Sequence, residues 1–586
     1  MRRRNILRKS ALVGALGLAG CGGQGDGPQT DISAGTPEDQ GDGGDGDGDG
    51  GDGDGGGGDG GDGEDMDTDT PASEDGGLVE IGLPEPIPPI FDTRKAADAG
   101  AHNYRIISTL TSFDRQGAIR PHLATDWSFE NGGNELVVEL RDDVVFHDGS
   151  EFDAEHVKWH LTDFLANGTG TSYIVEDVDD VVVEDTHRAR VLFDSPNPYI
   201  VWDLASAWGQ IHSREAVEEY GDEYGQDGKV VSTGPFEEVE HDENRGVLVR
   251  NEDWDWPRPW QEEMYDVDVE VRPERLVYES YTEEATRTSA FEAGDLDALV
   301  GGVPYSKIPD YENRDDINTG VAPVDTVQMF AMLNLHPEEN TSAVLAEELS
   351  LRRAISYAIN RQEIVDVIFN GAAEPASNYL VPTIAAHDVP EEYNYSHDPE
   401  RAREIMRQDG WSVEPDGVST KDGREASFTL ITQNKSVSRR RSVLWQEHLK
   451  AIGVDMEVTT LDFATFQERV GSNEFAAAMS TFYDWGNADQ LWWMTSESAE
   501  DLYYFNSNAW AQFPEATEVT DAATKESTLE ERTAAYKEAH TYLLENVVPA
   551  VYDVYPQQVD GWAPHLQNYM PHYQGAPMWP VWSENW

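Results

Sequence analysis

The stretch Leu140-Arg141-Asp142-Asp143-Val144-Val145-Phe146-His147-Asp148-Gly149 sets the start of the fold. It closes the run Glu135-Leu136-Val137-Val138-Glu139-Leu140, whose branched apolar side chains predict a strand, and Val144-Val145-Phe146 predicts a second. His147-Asp148-Gly149-Ser150 supplies an Asp-Gly turn, and a helix is expected from Ala154 to Leu165.

Further along, the apolar spacing changes to helical period over Glu348 to Ile359, Arg361 to Phe369, Asp398 to Asp409, Arg440 to Ile452 and Glu530 to Glu545. Gly410 and Gly453 stand where helix C-caps belong. Val454-Asp455-Met456-Glu457-Val458 alternates as a strand does, so helix then strand recurs with short connections. The prediction is α/β architecture with mixed sheets.

Several of these segments also carry a family pattern. Leu110-Thr111, Asp114, Gly117, Pro121-His122-Leu123-Ala124 and Trp127, followed by Leu140 to Gly149, closely resemble the opening signature of the dipeptide, oligopeptide and nickel solute-binding proteins of ABC importers. Thr233-Gly234-Pro235-Phe236, Arg250-Asn251 with Trp254, Phe291 with Gly294-Asp295-Leu296-Asp297, Arg352 to Arg361 and Asp398-Pro399-Glu400-Arg401-Ala402 continue it. The resemblance spans about residue 80 to Pro549.

It implies a two-lobed periplasmic-binding-protein-like fold (type II, cluster C) with mixed sheets and a hinge, closing over bound solute. Lobe I is expected at 78–275 plus 553–586, with a subdomain near 100–210, and lobe II at 276–552. The implied activity is capture of a peptide or similar small solute and delivery to an ABC permease. No chemistry on the solute and no cofactor is required, and a monomer is expected.

The N-terminus reads as an address. Arg2-Arg3-Arg4-Asn5-Ile6-Leu7-Arg8-Lys9 precedes an apolar stretch, Ala11 to Gly20, too short for the roughly 20 residues of a membrane helix. Leu18-Ala19-Gly20-Cys21 resembles a lipoprotein box, and the paired arginines a Tat signal. Residues 1–21 are therefore expected to be a signal peptide, with lipid on Cys21, the only cysteine in the chain. Residues 22–77 hold 18 acidic and no basic residues in a Gly/Asp repeat that cannot bury apolar surface, which predicts a disordered tether. The body would then sit at the extracellular face of the cytoplasmic membrane.

The whole chain of 586 residues has a formal charge of −72, and Leu78 onward still carries 95 acidic against 36 basic residues. Such a surface repels nucleic acid. Spread over a body rich in Trp, Tyr and Leu, it resembles a protein of a halophilic archaeon, whose carboxylates stay hydrated in screening salt. With 38% apolar residues the chain can bury a large core.

An enzyme requires an activated nucleophile or a metal cage, and the chain holds no Gly-x-Ser-x-Gly elbow, catalytic cysteine or His-Glu-x-x-His. His156 and His160 alone do not make a metal site, and Asp45-Gly46-Asp47-Gly48-Asp49 lacks the Glu that an EF-hand places twelfth. No catalytic or metal-ligating residue is assigned. The alternative to a transport receptor is a surface-tethered hydrolase or sensor on the same lobes.

A peptide enclosed between lobes needs its α-ammonium paired. In peptide-binding relatives an Asp after a strand of the second lobe does this, and Phe482-Tyr483-Asp484-Trp485-Gly486-Asn487-Ala488-Asp489 is the similar stretch here. Asp484 aligns best as anchor, Asp489 matches a later acidic position, and Tyr483 and Trp485 offer rings for stacking. Dipeptide-specific relatives also present an Arg after the strand equivalent to Ser427 to Ile431. Here Lys435 stands in that segment as a point charge that cannot form a bidentate fork, which favours a longer peptide or another solute, an oligosaccharide or a metal chelate. Thr233, Gly234 and Asn334 lie in segments that approach the cleft in relatives and complete the candidate set.

Overall fold

The structure, a computed structural model, describes residues 77–586 except 89, 96–102, 169–171, 257–269, 324–326, 336–341, 377, 484–485, 497–512 and 574–575. Cys21, the leader and the tether up to 76 thus lie outside the described residues. Gly77, assigned above to the tether, opens the first strand.

Two large mixed sheets organise the body. The first has seven strands, with Gly77–Leu83 at its centre, parallel to Pro273–Ser280 on one side and to Ala298–Leu299 on the other. Arg245–Arg250 and Phe236–His241 extend one side antiparallel, and Val559–Trp562 and Asn318–Val321 the other. Helix Glu284–Ala293 makes the crossover between the strands flanking Gly77–Leu83 and ends at Gly294 in the left-handed region, φ 80°. Asp297 then fastens the next strand by accepting the Glu80 N–H through Oδ2 at 2.9 Å.

The second sheet has six strands, in the order Ala373–Pro375, Ala550–Pro556, Val327–Leu333, Ala477–Tyr483, Ser427–Gln433 and Asp455–Leu461. Every residue of Val327–Leu333 and of Ala550–Pro556 is buried, as strands covered on both faces must be. A separate four-stranded antiparallel sheet, Ala124–Glu130, Glu135–Leu140, Arg188–Phe193 and Val178–Asp185, forms the core of the segment expected as a subdomain.

The chain passes from the seven-stranded to the six-stranded sheet between Val321 and Val327, and returns between Pro556 and Val559. The borders expected at 275/276 and 552/553 do not coincide with these passages. The first falls inside strand Pro273–Ser280 and the second inside Ala550–Pro556. The physical reason is that Ala298–Leu299 and Asn318–Val321 belong to the first sheet, so the chain lays down both before crossing, and Val559–Trp562 fills the place between them on its return.

Most predicted elements hold their places. The helices are Leu349–Ala358, Arg361–Ile368, Pro399–Gln408, Ser436–Lys450 and Leu529–Asn546, and Gly410 and Gly453 both take positive φ just past helix ends. Two expectations change. Val144 to Phe146 forms no strand, only a bridge between Val145 and Glu151, because the chain turns back at once: Phe146 N–H donates to Ser150 O and Gly149 N–H to Phe146 O. The helix from Ala154 is α-helical to Trp159 and then widens into a π turn over His160–Phe164, where Thr162 Oγ1 donates to Lys158 O at 2.8 Å.

Within the Arg352 to Arg361 signature both end arginines point inward and bind backbone carbonyls. Arg352 Nε donates to Val547 O at 2.8 Å and Nη1 to Leu345 O at 2.7 Å; burial lowers its pKa to about 10. Arg361 donates to Ala376, Tyr552, Ser356 and Tyr395 carbonyls. Five donors in one planar group let a single side chain satisfy chain ends that no strand can reach.

Candidate functional site

Strand Ala477–Tyr483 runs to the seam between the lobes, where Tyr483 pairs with Val327, the first residue of the second sheet after the chain crosses. Asp484 and Trp485, the two residues that follow, lie outside the described residues, and of Tyr483 only the backbone is described. Gly486 is in the left-handed region, φ 81°, and an added Cβ would stand 2.7 Å from Phe113 Cζ and 3.5 Å from Trp202 Cδ1. A glycine is needed there so that second-lobe backbone can meet the aromatic face of the subdomain.

Asn487 Nδ2 donates to Asp203 Oδ1 at 3.0 Å, and its Oδ1 accepts the Asp489 N–H at 2.9 Å. Both carboxylate oxygens of Asp489 are engaged by Arg532, Nε to Oδ1 at 3.0 Å and Nη2 to Oδ2 at 2.7 Å. Asp489 therefore holds a guanidinium in place. Asp203, desolvated in the seam and near Asp489, has its pKa pushed well above the usual carboxylate range, first by burial and then by that neighbouring charge. Asp203, Tyr199 and Arg532 escaped the sequence reading because partners 284, 334 and 336 residues apart meet only through the fold.

Thr233 and Gly234 sit where three family signatures converge. Gly234 N–H donates to Ile106 O at 2.9 Å, and Gly234 O accepts from His147 Nε2 and from Asn251 Nδ2, each at 3.1 Å. Ser232 N–H donates to His147 Nδ1 at 3.3 Å, which places the ring proton on Nε2. Thr233 is fully buried and its Oγ1 has no partner among the described residues.

His147 is half-buried, and desolvation of its ring lowers its pKa from 6.5 to about 4, which favours the neutral imidazole. Unfolding lets it regain the higher value, so between these two pH values the unfolded chain binds more protons. Stability therefore falls as pH falls through this window, by up to about 1.4 kcal/mol per pH unit. His147→Asn, which keeps an acceptor but cannot titrate, is expected to remove that slope. Urea unfolding followed from pH 7 to pH 4 would refute this if variant and parent lose stability in parallel.

Asn334 is fully buried, and its Nδ2 donates to Asn473 O at 2.9 Å and Phe475 O at 3.1 Å, tying two chain segments of the second lobe. Lys435 is half-buried immediately before helix Ser436–Lys450. Trp492 Nε1 donates to Asp521 Oδ1 at 2.7 Å, which ties helix Gln490–Thr495 to helix Pro514–Ala523, and its ring meets that of Trp493 edge-on at 5.1 Å. Among the described residues no group of three or more His, Cys, Asp or Glu is arranged to hold a metal ion, and no helix is long and apolar enough to cross a membrane.

Two mixed α/β sheets joined by two chain crossings, with a strand end and a polar network at the seam between them, define a two-lobed binding protein. Residues 118–503 match the bacterial extracellular solute-binding proteins, family 5 Middle, and the chain belongs to that family. It is 25% identical over 445 residues to the glutathione-binding protein GsiB of Salmonella paratyphi A, covering 73% of this chain and 79% of that one. It is 23% identical over 366 residues to the nickel-binding periplasmic protein of Escherichia coli, covering 60% and 65%. Among solved structures, NikA of Brucella suis with Fe(III)-EDTA aligns with a TM-score of 0.70 at 17% identity, covering 86% of this chain and 100% of that one. DppA of Helicobacter pylori with the peptide STSA aligns at 0.66 and 19% identity, covering 87% and 99%.

Proposed function

We propose that this protein captures short peptides between its lobes and hands them to an ABC permease at the extracellular face of the cytoplasmic membrane, anchored by lipid on Cys21. The carrying observation is that strand Ala477–Tyr483 ends at the interlobe seam immediately before Asp484 in sequence. Asp484 is the proposed ammonium anchor, with the Tyr483 and Trp485 rings beside the bound chain. Asp489, Asn334 and Gly234 shape the walls, while Lys435 and Thr233 are secondary contacts. Family membership supports the receptor role, and the names of relatives that bind glutathione or the peptide STSA support peptide as the class.

In this reading the solute favours the closed form, and closed protein is what the permease meets. The leader and tether are proposed to be a Tat-exported lipoprotein signal and a spacer of about 40–45 Å root-mean-square span. The acid excess of the body is proposed to be an adaptation of a halophilic archaeal protein, folding as a monomer in molar salt.

Mass spectrometry of small molecules released by denaturing protein purified natively in molar salt is expected to recover short peptides. Recovery of a sugar or a metal chelate instead would overturn the peptide assignment. Asp484→Ala is expected to weaken peptide binding by about 2 kcal/mol, because it leaves an enclosed ammonium unpaired; unchanged affinity by calorimetry would refute the anchor.

A further inference from the structure

From Leu78 onward 95 acidic residues stand against 36 basic, yet the stretch from Ala426 to Gln446 carries no Asp or Glu and holds Lys435, Arg439, Arg440 and Arg441. Arg441 turns inward to Asp553, and Arg439 donates to Asn434 Oδ1. Arg440 is exposed; its Nη2 donates to Val367 O at 2.7 Å, and it forms no ion pair among the described residues. Other exposed arginines meet carboxylates: Arg214 Nε donates to Glu218 Oε1 at 2.9 Å, and Arg401 Nη1 to Glu404 Oε2 at 3.0 Å. A guanidinium left without a carboxylate on so acidic a body is available to one from outside.

Arg440 is flanked by apolar side chains that the fold leaves uncovered. Val367 is 50% exposed and Val443 53%. Val443 follows Arg440 by three residues in helix Ser436–Lys450, which puts the two on one side of it. Helix Arg361–Ile368 packs alongside, antiparallel: His448 Nε2 lies 2.9 Å from Glu363 Oε2 at one end, and Arg440 reaches Val367 at the other. Strand Ser427–Gln433 runs parallel to Ala477–Tyr483, Leu430 beside Ala477, so it points to the sheet edge that Tyr483 reaches at the seam. The helix after it starts at that edge, and Val443 stands about 10 Å along it. Helix Arg361–Ile368 ends toward the same edge, since Ala373 beyond it pairs with Pro556, where the chain crosses back.

We propose that Val367, Arg440 and Val443, with Arg439 beside them, form the surface by which the second lobe docks on the permease, against a permease segment that presents a carboxylate next to apolar side chains. The permease as partner rests on the receptor reading above. Solute leaving the seam passes directly only to a protein seated over it, which puts that protein's contacts on surfaces beside the seam. Charge complementarity then selects the chemistry. In molar salt the Debye length is about 3 Å, so the acid excess of the body is screened and only charges in contact count. At contact an unpaired guanidinium accepts a carboxylate through its planar fork, while the valines add apolar contact that salt does not screen. A bilayer fits less well, because adsorption to anionic lipid draws on clusters of about four to eight cations.

The test places the photocrosslinker p-benzoylphenylalanine in place of Val443 in the full chain, expressed in its native cells. Illumination is expected to join it to a membrane-spanning ABC permease subunit, at a segment containing Asp or Glu. Adducts confined to lipid or to a second copy of this chain, or no adduct, would overturn the surface. Arg440→Glu/Val443→Asp is expected to lower peptide uptake by these cells about tenfold while the peptide Kd, read by calorimetry, stays that of the parent. Val443→Asp alone should cause a smaller loss, and it decides the matter if the double variant fails to fold. Val239→Asp is the comparison: Val239 is also 50% exposed, in strand Phe236–His241 of the first sheet, and uptake should match the parent. Uptake that survives in both variants, or a Kd that rises with its loss, overturns the docking surface and leaves the receptor reading standing. If the parent itself supports no uptake, the receptor reading falls, and the surface stands or falls on the adduct.

Discussion

Asp553→Ala is expected to destabilise the protein by about 3–5 kcal/mol, the loss typical when one partner of a buried ion pair is removed. Asp553 and Arg441 are both wholly buried, joined by Arg441 Nε to Asp553 Oδ2 at 2.9 Å and Nη2 to Oδ1 at 2.7 Å. Trp445 Nε1 donates to Oδ2 at 3.0 Å and Val554 N–H to Oδ1 at 2.9 Å, so the carboxylate collects four donors. It sits in strand Ala550–Pro556, just before the chain returns to the first sheet, and links that strand to helix Ser436–Lys450. Truncation strands a guanidinium in the core, where Arg441 Nη1 already has no partner among the described residues. Arg441→Met/Asp553→Leu, which removes both charges, should therefore be less destabilised than Asp553→Ala alone. Urea unfolding in molar salt reads both, and a single-variant loss below about 1 kcal/mol would mean that relaxation brings the stranded charge to water.

The fold was largely legible because its signals are local. Helix Pro399–Gln408 is announced by Asp398, whose side chain accepts the Arg401 N–H, and by Gly410 beyond its end. Strand Asp455–Leu461 follows from alternation after a glycine that closes the preceding helix. The lobe borders were not legible, because the crossings at 321–327 and 556–559 are too short to leave a compositional mark.

The stretch from Tyr483 to Asp489 was singled out by its resemblance to peptide-binding relatives rather than by local signals, and described residues on both sides of Asp484 and Trp485 lie at the seam. What the sequence could not disclose was the use of each side chain. Asp489 pairs with an arginine 43 residues away, and Asn334 spends its amide on carbonyls 139 and 141 residues along the chain. A carboxylate or amide has the same letter whether it faces solute or closes a loop, and only its partners distinguish the two.

Gly234→Ala is the second large effect expected, a destabilisation of about 3 kcal/mol, at the upper end for overpacking. Most glycines in turns are needed for positive φ, but Gly234 is needed for approach: an added Cβ would stand 2.4 Å from Ile106 O and 2.6 Å from Arg105 O. Both are backbone atoms, so no side chain can rotate away, and either the Thr233 to Phe236 segment or the Asn103–Ile106 turn must shift. Such a shift also withdraws the Gly234 carbonyl from His147 and Asn251. Desolvation holds the His147 pKa at about 4 and the Gly234 carbonyl is a contact that favours the protonated ring, so its withdrawal should lower the pKa further in the variant, which proton NMR of the imidazole would detect. Gly149→Ala is the comparison: φ is 79° and nothing lies within 4 Å of the added Cβ, so only backbone strain of about 1 kcal/mol is expected. Equal losses for the two variants would show that the 105–106 backbone yields freely and that the meeting of signatures at Gly234 is not what fixes the first lobe.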